Sequence, residues 1–263
     1  MTIINEDFFN NKLEDNLVDL IVTDPPYLIG YKEWDQTDIN DFHEEWLSEA
    51  FRILKPGGTI WSFMAYCDKS GEVPISYGFY GNMIYVGFEV DLRNTVVWAR
   101  QKGRGASKHL KSQREDIFYA TKPGGERTWH PLKMLREVVT PYVKDGKPRG
   151  WFLDEFGNRV RWTGLGNVWT YTAPQWNHKA EKQFHPAQKP VMLLDRLIRL
   201  SSNPGDVVLD PFMGSGSTGI ACNLNDRNFI GIEKDKEIYG IAEKRFSEFD
   251  KEKFKGYSIE YKE

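Results

Sequence analysis

The chain has 263 residues, of which 40% are hydrophobic and 28% charged, and its formal net charge is −3. This length predicts one α/β domain with a smaller insertion, since a single hydrophobic core can serve a chain of this size. The first residues lack a basic stretch followed by an apolar one, and the longest apolar runs are too short or too charged to span a bilayer. We therefore expect an intracellular, cytoplasmic protein without a membrane span.

Strand and helix patterns alternate in the first half of the chain. An apolar run at 18–23 predicts a buried strand, and apolar residues at helical spacing predict a helix at 41–54. The turn at 55–58 is expected to end that helix before a strand. The remaining strands of this half are predicted at 2–5, 59–65, 94–99 and 116–120.

The second half begins with an irregular region and then alternates again. Residues 124–182 are rich in Gly, Pro, Trp and Arg and show no regular pattern, which marks an insertion. Beyond it, helices are predicted at 189–202, 216–224 and 236–246, with strands at 206–210 and 228–233. Strands that alternate with helices predict a doubly wound, mostly parallel α/β sheet.

The first motif, Asp24-Pro25-Pro26-Tyr27, directly follows the strand predicted at 18–23. Ligands of such sheets bind at the carboxyl ends of the strands. The prolines lack N–H donors and hold the backbone extended, so the Asp24 carboxylate and the Pro25 carbonyl become neighbouring acceptors for an amino group. Tyr27 offers a ring on which a base can stack. Taken alone, the tetrapeptide is better explained as a turn that ends a strand.

Positive charge is concentrated in the middle of the chain. Residues 93–182 contain 18 Lys and Arg but only 8 Asp and Glu. Such a basic segment in an acidic protein is expected of a nucleic-acid-binding surface, although a solvated Lys-rich surface would show the same excess. The cations predicted to contact nucleic-acid phosphates are Arg104, Lys108, Lys111 and Arg114.

The strongest motif of the last third is the glycine turn VVLDPFMGSGST at 207–218. Gly214 and Gly216 permit a tight turn close to a ligand, and the following helix offers free N–H groups to a carboxylate or phosphate. Glu233 ends the next predicted strand, where an acid can accept both hydroxyls of a ribose. Together these features predict a nucleoside ligand, but many α/β proteins contain a glycine turn and a later acid.

Cysteine and histidine spacing supports neither a disulfide nor a metal site. Cys67 and Cys222 stand alone, and the histidines of the middle region are irregularly spaced without acidic or Cys partners. We therefore predict two reduced thiols and no metal.

Four motifs occur here in the order that one enzyme family uses. The chain resembles the DNA amino-methyltransferases of the beta group, in which the catalytic motif precedes the cofactor motif. Residues 24–27 match the family's catalytic motif, 54–58 the turn before its next strand, 185–190 the start of its cofactor half, and 210–218 its cofactor loop. The resemblance covers nearly the whole chain except 124–182.

The resemblance implies a fold and a reaction. The fold is a seven-stranded, Rossmann-like methyltransferase sheet with circularly permuted strand order. Residues 1–123 would form its catalytic half, 183–263 its cofactor half, and 124–182 an inserted target-recognition region. The reaction is the transfer of a methyl group from S-adenosylmethionine to an exocyclic amino nitrogen of a base that has left the DNA stack.

The resemblance also assigns residues to the cofactor. Lys189 and the glycine loop would hold the methionine end, Asp210 would lie close to the amino group, and Glu233 would bind the ribose. Asp7 would contact the adenine, although the preceding residues depart from the family's Gly-Asp. Phe212 and Ile232 would pack on the adenine, with core packing as an equal alternative. The implied set is Asp7, Asp24, Lys189, Asp210, Pro211, Phe212, Gly214, Ser215, Gly216, Ser217, Thr218, Ile232 and Glu233.

The target base and the partners follow from the same resemblance. Asp at the first motif position favours adenine N6 in this family, and cytosine N4 is the alternative. A non-catalytic DNA-binding regulator with this fold would carry damaged motifs, whereas both motifs are intact here. The expected substrate is double-stranded DNA. A homodimer is expected by resemblance alone, and a restriction endonuclease is a candidate partner.

Overall fold

The computed structural model describes residues 1–27, 39–65, 75–104, 112–172, 174, 188–254 and 261–262. Its α-helices are α1 (Ile39–Ile53), α2 (Ile75–Val86), α3 (Val191–Ser201), α4 (Ser217–Leu224) and α5 (Lys236–Ser247). None of these described helices is both long and apolar enough to cross a membrane. The strands are β1 (Thr2–Ile4), β2 (Val18–Thr23), β3 (Leu54–Ala65), β4 (Glu89–Val90), β5 (Val96–Arg104), β6 (Ser112–Thr121), β7 (Lys133–Glu137), β8 (Val143–Lys144), β9 (Lys147–Pro148), β10 (Phe152–Leu153), β11 (Arg159–Gly164), β12 (Val168–Tyr171), β13 (Val207–Asp210), β14 (Asn228–Ile232) and β15 (Tyr261–Lys262).

A nine-stranded sheet is the centre of the described structure. Its order is β1-β14-β13-β2-β3-β6-β5-β12, and β4 also pairs with β6. The adjacent strands β1, β14, β13, β2 and β3 are all parallel. Strand β6 runs antiparallel to both β3 and β5, and β12 is parallel to β5. The first seven strands in this order, which end with β5, correspond to the seven strands predicted for the family. Strands β4 and β12 are additional. The predicted mostly parallel sheet is therefore confirmed, with a larger number of strands.

Helices cover both faces of this sheet because its strands present apolar side chains on alternate sides. In β2, Leu20 and Val22 join one core cluster and Ile21 joins the other. Helices α3, α4 and α5 contribute to the first cluster, and α1 and α2 contribute to the second. The arrangement confirms the predicted doubly wound α/β fold.

Sequence patterns locate most strands of this sheet and most of the helices that cover it, but they do not predict helix α2. The observed bounds of α3, β13, α4, β14 and α5 differ from the predicted ones by at most two residues. Helix α2 buries Ile75, Phe79 and Met83, yet its outer face exposes the apolar or aromatic side chains of Tyr77 and Tyr85. Because apolar residues lie on both faces, α2 lacks the periodicity that reveals an amphipathic helix.

The turn predicted at 55–58 lies inside a strand. Helix α1 ends at Ile53 and β3 begins at the next residue. The pairing of β3 with β2 shifts register between Val18 and Leu20, so the Lys-Pro-Gly-Gly segment forms an irregularity within β3 rather than a separate connection. The helix end is where the sequence predicts it, and the strand starts earlier.

The predicted insertion at 124–182 contains more regular structure than its sequence pattern indicates. Strands β10, β11, β7 and β15 form a small antiparallel sheet, and β8 and β9 form a hairpin. Strand β15 comes from the last residues of the chain, and the Tyr261 hydroxyl accepts a hydrogen bond from Arg196 Nε at 2.7 Å. Strand β12, also from this region, extends the large sheet. The three-part division of the chain stays a prediction.

Candidate active site

Acidic residues follow neighbouring parallel strands at one edge of the large sheet. Strands β1, β14, β13 and β2 lie side by side and are parallel. Asp7, Glu233 and Asp24 follow β1, β14 and β2, while Asp210 is the last residue of β13. Because the carboxyl ends of parallel strands meet at the same edge, the predicted catalytic and cofactor motifs lie next to each other there.

The Asp24 carboxylate is engaged on both oxygens. Tyr27 Oη donates a hydrogen bond to Oδ1 at 2.6 Å, and Lys189 Nζ donates to Oδ2 in a largely buried ion pair. Lys189 Nζ also lies 3.4 Å from Tyr27 Oη. The structure thus brings Lys189, which the resemblance assigns to the cofactor, onto the catalytic motif. Its contact with the methionine end stays a prediction.

Two charged residues of this cluster are absent from the sequence-based set. Glu115 of β6 pairs through Oε1 with Arg100 of β5, and its Oε2 lies 3.6 Å from Lys189 Nζ. Because β6 runs antiparallel to β3, Glu115 lies opposite Ala65 at the carboxyl end of β3. A strand pattern does not specify the strand's neighbours, so only the topology could place Glu115 beside Lys189.

Burial and neighbouring charges fix the protonation of this cluster. Burial raises the pKa of Tyr27 well above its ordinary value, and the charges of Asp24 and Glu115 raise it further. Burial lowers the pKa of Lys189, but Asp24 and Glu115 together outweigh it and the pKa is raised overall. Tyr27 is therefore a neutral hydrogen-bond donor and Lys189 a cation at neutral pH.

Asp210 joins the two predicted motifs. Thr23 Oγ1 donates to Asp210 Oδ1 at 2.9 Å, and Thr218 Oγ1 donates to Oδ2 at 2.6 Å. The backbone N–H of Phe212 donates to Oδ1 at 3.2 Å. Burial nevertheless raises the pKa of Asp210 to about 7, and the nearby Asp24 charge acts in the same direction. The pKa of this carboxyl group is therefore close to neutral pH.

The glycine loop has the tight geometry that its sequence predicts. Gly214 and Gly216 have φ angles of 52° and 76°, in the left-handed region that favours glycine. A Cβ at Gly216 would lie 2.5 Å from Phe246 Cζ, so α5 packs directly against this turn. The guanidinium of Arg245 donates to Ser215 O at 3.0 Å and to Ser217 Oγ at 2.9 Å. These contacts hold the loop at the start of α4.

Glu233 and Asp7 lie beside this loop. Glu233 accepts hydrogen bonds from the backbone N–H groups of Gly214 at 3.0 Å and Asp235 at 2.8 Å. Burial raises the pKa of Glu233, although these two donors oppose the shift. Asp7 caps the short 3-10 helix Phe8–Asn10, and its Oδ2 lies 3.6 Å from Lys234 Nζ. Both carboxylates follow parallel strands at the same edge of the sheet, and their contacts with the cofactor ribose and adenine stay predictions.

The apolar members of the cofactor set differ in exposure. Ile232 is entirely buried in the core cluster that contains α1 and α2, which agrees with the core-packing interpretation. Pro211 is buried as well. Phe212 is only half-buried, and its ring packs on Phe8 and Trp46 at centroid distances of 5.8 and 5.7 Å. Phe212 is thus packed against the core and partly exposed, and the adenine contacts of both residues stay predictions.

The structure describes only part of the predicted DNA-contacting set. Lys108 and Lys111 lie outside the described residues, and Arg104 is the last residue of β5. Arg114 lies in β6 and forms a two-point ion pair with Asp116, with Nε and Nη2 at 2.6 and 3.0 Å from its carboxylate oxygens. Its side chain is still about half exposed. DNA contact by these residues stays a prediction.

The structure describes only part of the groups in the cysteine and metal predictions. Cys222 is buried in α4, and burial raises the pKa of its thiol well above the ordinary value. Cys67 lies outside the described residues. Within the described ranges, no three His, Cys, Asp or Glu side chains are grouped as metal ligands would be.

Comparisons with known proteins give the family. A family model described as DNA methylase (N6_N4_Mtase) matches residues 18–244. The type II methyltransferase M.HpaI of Haemophilus parainfluenzae is 36% identical over 250 residues, covering 90% of this chain and 71% of that protein. The DNA adenine methyltransferase YhdJ of Escherichia coli is 32% identical over 249 residues, covering 89% and 78%. The solved structure of an M1.HpyAVI–SAM complex matches with a TM-score of 0.62 and 27% identity, covering 93% and 98%.

The mostly parallel sheet with helices on both faces, and the family match, define a Rossmann-like methyltransferase. Within that class, the chain belongs to the DNA methylase family of N6 and N4 amino-methyltransferases. It methylates DNA and uses S-adenosylmethionine as its cofactor. The family, the DNA substrate and the cofactor predicted from the sequence are thereby confirmed.

Proposed function

We propose that the chain methylates the N6 amino nitrogen of adenine at a specific site in double-stranded DNA. The observation that carries this proposal is the junction of β2 and β13, where Thr23 Oγ1 donates to Asp210 Oδ1 at 2.9 Å. This hydrogen bond ties the residue before Asp24 to the start of the cofactor loop. An amino group bound by Asp24 and a methyl donor bound by the loop would therefore be neighbours.

Asp24 and Pro25 are the acceptors for the target amino group. Its nitrogen is a poor nucleophile because its lone pair is delocalised into the ring. Two acceptors on its hydrogens favour a pyramidal nitrogen with a localised lone pair, and they stabilise the positive charge that develops on it. Asp24 can then take the proton that the methylated nitrogen releases. Tyr27 offers a ring face to the base, which leaves the duplex because its amino group is otherwise paired.

The cofactor half fits S-adenosylmethionine. Glu233 accepts two backbone N–H groups, and its two oxygens keep further lone pairs for the ribose hydroxyls. Helix α4 begins at Ser217, and its N-cap Gly216 provides no side-chain hydrogen bond, so the first N–H groups of the helix suit the methionine carboxylate. Asp210 and Asp7 would face the amino group and the adenine. When bound, the cofactor supplies a methyl group activated on a sulfonium.

Adenine is preferred over cytosine on two grounds. The catalytic motif begins with Asp24, which favours adenine among enzymes that this chain resembles. The relative YhdJ, which is 32% identical, is named as a DNA adenine methyltransferase. Cytosine N4 is the alternative, because the same acceptors suit its amino group and the matching family covers both bases.

The partners and the location extend this proposal. Residues 124–182 would recognise the target sequence, since most of their strands form sheets separate from the large sheet that carries both motifs. The relative M.HpaI is named a type II methyltransferase, which supports a role beside a restriction endonuclease. A homodimer and a cytoplasmic location complete the proposal, both on the resemblance and the sequence.

Nucleoside analysis tests the base directly. The protein is incubated with labelled S-adenosylmethionine and DNA of mixed sequence, and the digested nucleosides are separated by mass spectrometry. We expect N6-methyladenine. N4-methylcytosine would retain the amino-group mechanism and change only the base, whereas a methyl group on a cytosine ring carbon would contradict the mechanism.

A matched pair of variants tests the catalytic assignment. Asp24→Asn weakens an acceptor of the reacting amino group, so the single-turnover rate should fall by about a hundredfold to a thousandfold while cofactor binding persists. Asp19→Asn alters a carboxylate on the same strand that binds Lys55 and the backbone N–H of Val207. This control should keep the wild-type rate. An Asp24→Asn variant with more than about a tenth of that rate is incompatible with the assignment.

A further inference from the structure

The Lys189 ammonium lies between two carboxylates but binds only one of them closely. It is paired with Asp24 Oδ2, and Glu115 Oε2 lies 3.6 Å away. Glu115 Oε1 is occupied by Arg100, which fixes the orientation of this carboxylate. Glu115 Oε2 is buried and accepts no hydrogen bond from the part of the chain that the structure describes. A fixed acceptor that receives no hydrogen bond from the described residues therefore lies within ion-pair distance of Lys189.

The ion pair between Lys189 and Asp24 opposes the proposed reaction. Oδ1 of Asp24 accepts a hydrogen bond from Tyr27, and Oδ2 is the second oxygen that the target amino group can use. In the structure that oxygen is bound by the ammonium of Lys189. Positive charge also develops on the attacking nitrogen, and a cation at Asp24 would destabilise it. Departure of Lys189 from Oδ2 when the base binds would therefore remove this repulsion and strengthen Asp24 as an acceptor.

We propose that Glu115 is a positioning residue that receives the Lys189 ammonium when the target amino group engages Asp24. The inference rests on the proposed role of Asp24. The required movement is small, since the separation of 3.6 Å needs to shorten only to a charge-assisted hydrogen bond of about 2.8 Å. Throughout the exchange Lys189 keeps a carboxylate partner, so no buried cation is left unpaired.

Substitution of Glu115 tests the proposal. Glu115→Gln keeps the shape of the side chain and removes its charge, so Lys189 should remain on Asp24. The single-turnover methylation rate at saturating cofactor should fall by about tenfold to a hundredfold, the change that one hydrogen bond to a charged group supports. Cofactor affinity by calorimetry should change by less than about twofold. Asp195→Asn, at a buried carboxylate bound by Asn225 in a different region, is the matched control with an unchanged rate.

A double-mutant cycle separates this role from a structural one. In a Lys189→Met background there is no ammonium to receive, so adding Glu115→Gln should change the rate by less than about twofold. If Glu115 only supports the pairing of β5 and β6 through Arg100, the loss will be equal in both backgrounds. Glu115→Asp keeps the charge and should lose less activity than Glu115→Gln. If Glu115→Gln does not fold, Glu115→Ala, which also removes the charge, takes its place in the cycle.

The outcomes are distinct. A Glu115→Gln rate within about twofold of wild type overturns the proposal, and so does an equal loss with and without Lys189. A wild-type protein that methylates no amino nitrogen, or an Asp24→Asn variant with the wild-type rate, contradicts the proposed function instead. The wild-type and Asp24→Asn measurements are therefore made before the Glu115 variants.

Discussion

Replacement of Asp210 by Asn should make the protein more stable at alkaline pH and weaken its binding of the cofactor. Asp210 is 3% exposed, and burial raises its pKa to about 7 in spite of the hydrogen bonds from Thr23, Thr218 and the backbone of Phe212. Above that pH the folded protein therefore contains an ionised carboxylate that burial destabilises. The proposed role of this charge is to bind the cationic cofactor, which is why the substitution should also weaken cofactor binding.

The sign and size of the effect follow from the two pKa values. The carboxyl has an ordinary pKa of 3.8 and a folded-state pKa of about 7, a difference that corresponds to ~4 kcal/mol. Because the folded state binds the proton more tightly, stability falls as the pH rises between these two values, and the full penalty is present above the higher one. Asn carries no charge, and its amide can donate to Thr218 Oγ1 while its carbonyl accepts from Thr23.

Denaturant unfolding at two pH values measures this. At pH 8 the Asp210→Asn variant should exceed wild type by up to ~4 kcal/mol, and at pH 5 the gain should be clearly smaller. Calorimetry at pH 8 should show weaker S-adenosylmethionine binding by the variant. Asp206→Asn, near the opposite end of β13 where Asp206 accepts from Asn203 N at 2.7 Å, is the control. A gain for Asp210→Asn that is equal at both pH values would refute the reasoning.

Three further changes have defined outcomes. Gly216→Ala should lower the free energy of unfolding by ~1–3 kcal/mol, because φ is 76° and Phe246 Cζ lies 2.5 Å from the added Cβ; thermal denaturation measures it. Glu233→Gln should weaken cofactor binding by about tenfold or more in calorimetry, and unchanged affinity would exclude the ribose role. Arg114→Ala should reduce the slope of the logarithm of the DNA-binding constant against the logarithm of the salt concentration by about 0.9. An unchanged slope would show that Arg114 contacts no DNA phosphate.

The sequence by itself determined the fold class, the family and the cofactor. Apolar periodicity is a local property, so strands such as β2 and helices such as α5 appear in the pattern at nearly their observed bounds. The motif residues Asp24 and Gly216 are equally local, because their chemistry depends on the prolines and glycines beside them. The order of these motifs then identified the beta-group arrangement without any knowledge of distances.

Only the tertiary structure decided which side chains share the catalytic edge. Lys189 binds Asp24 across 165 positions of sequence, and Glu115 reaches the same ammonium because β6 runs antiparallel beside β3. The pairing of β15 with β7 and of β12 with β5 is likewise set by strand neighbours. Such contacts depend on how strands are ordered and oriented in the sheet. The free energy that fixes this order comes from packing helices on both faces of the whole sheet, so it cannot be read from any short segment of sequence.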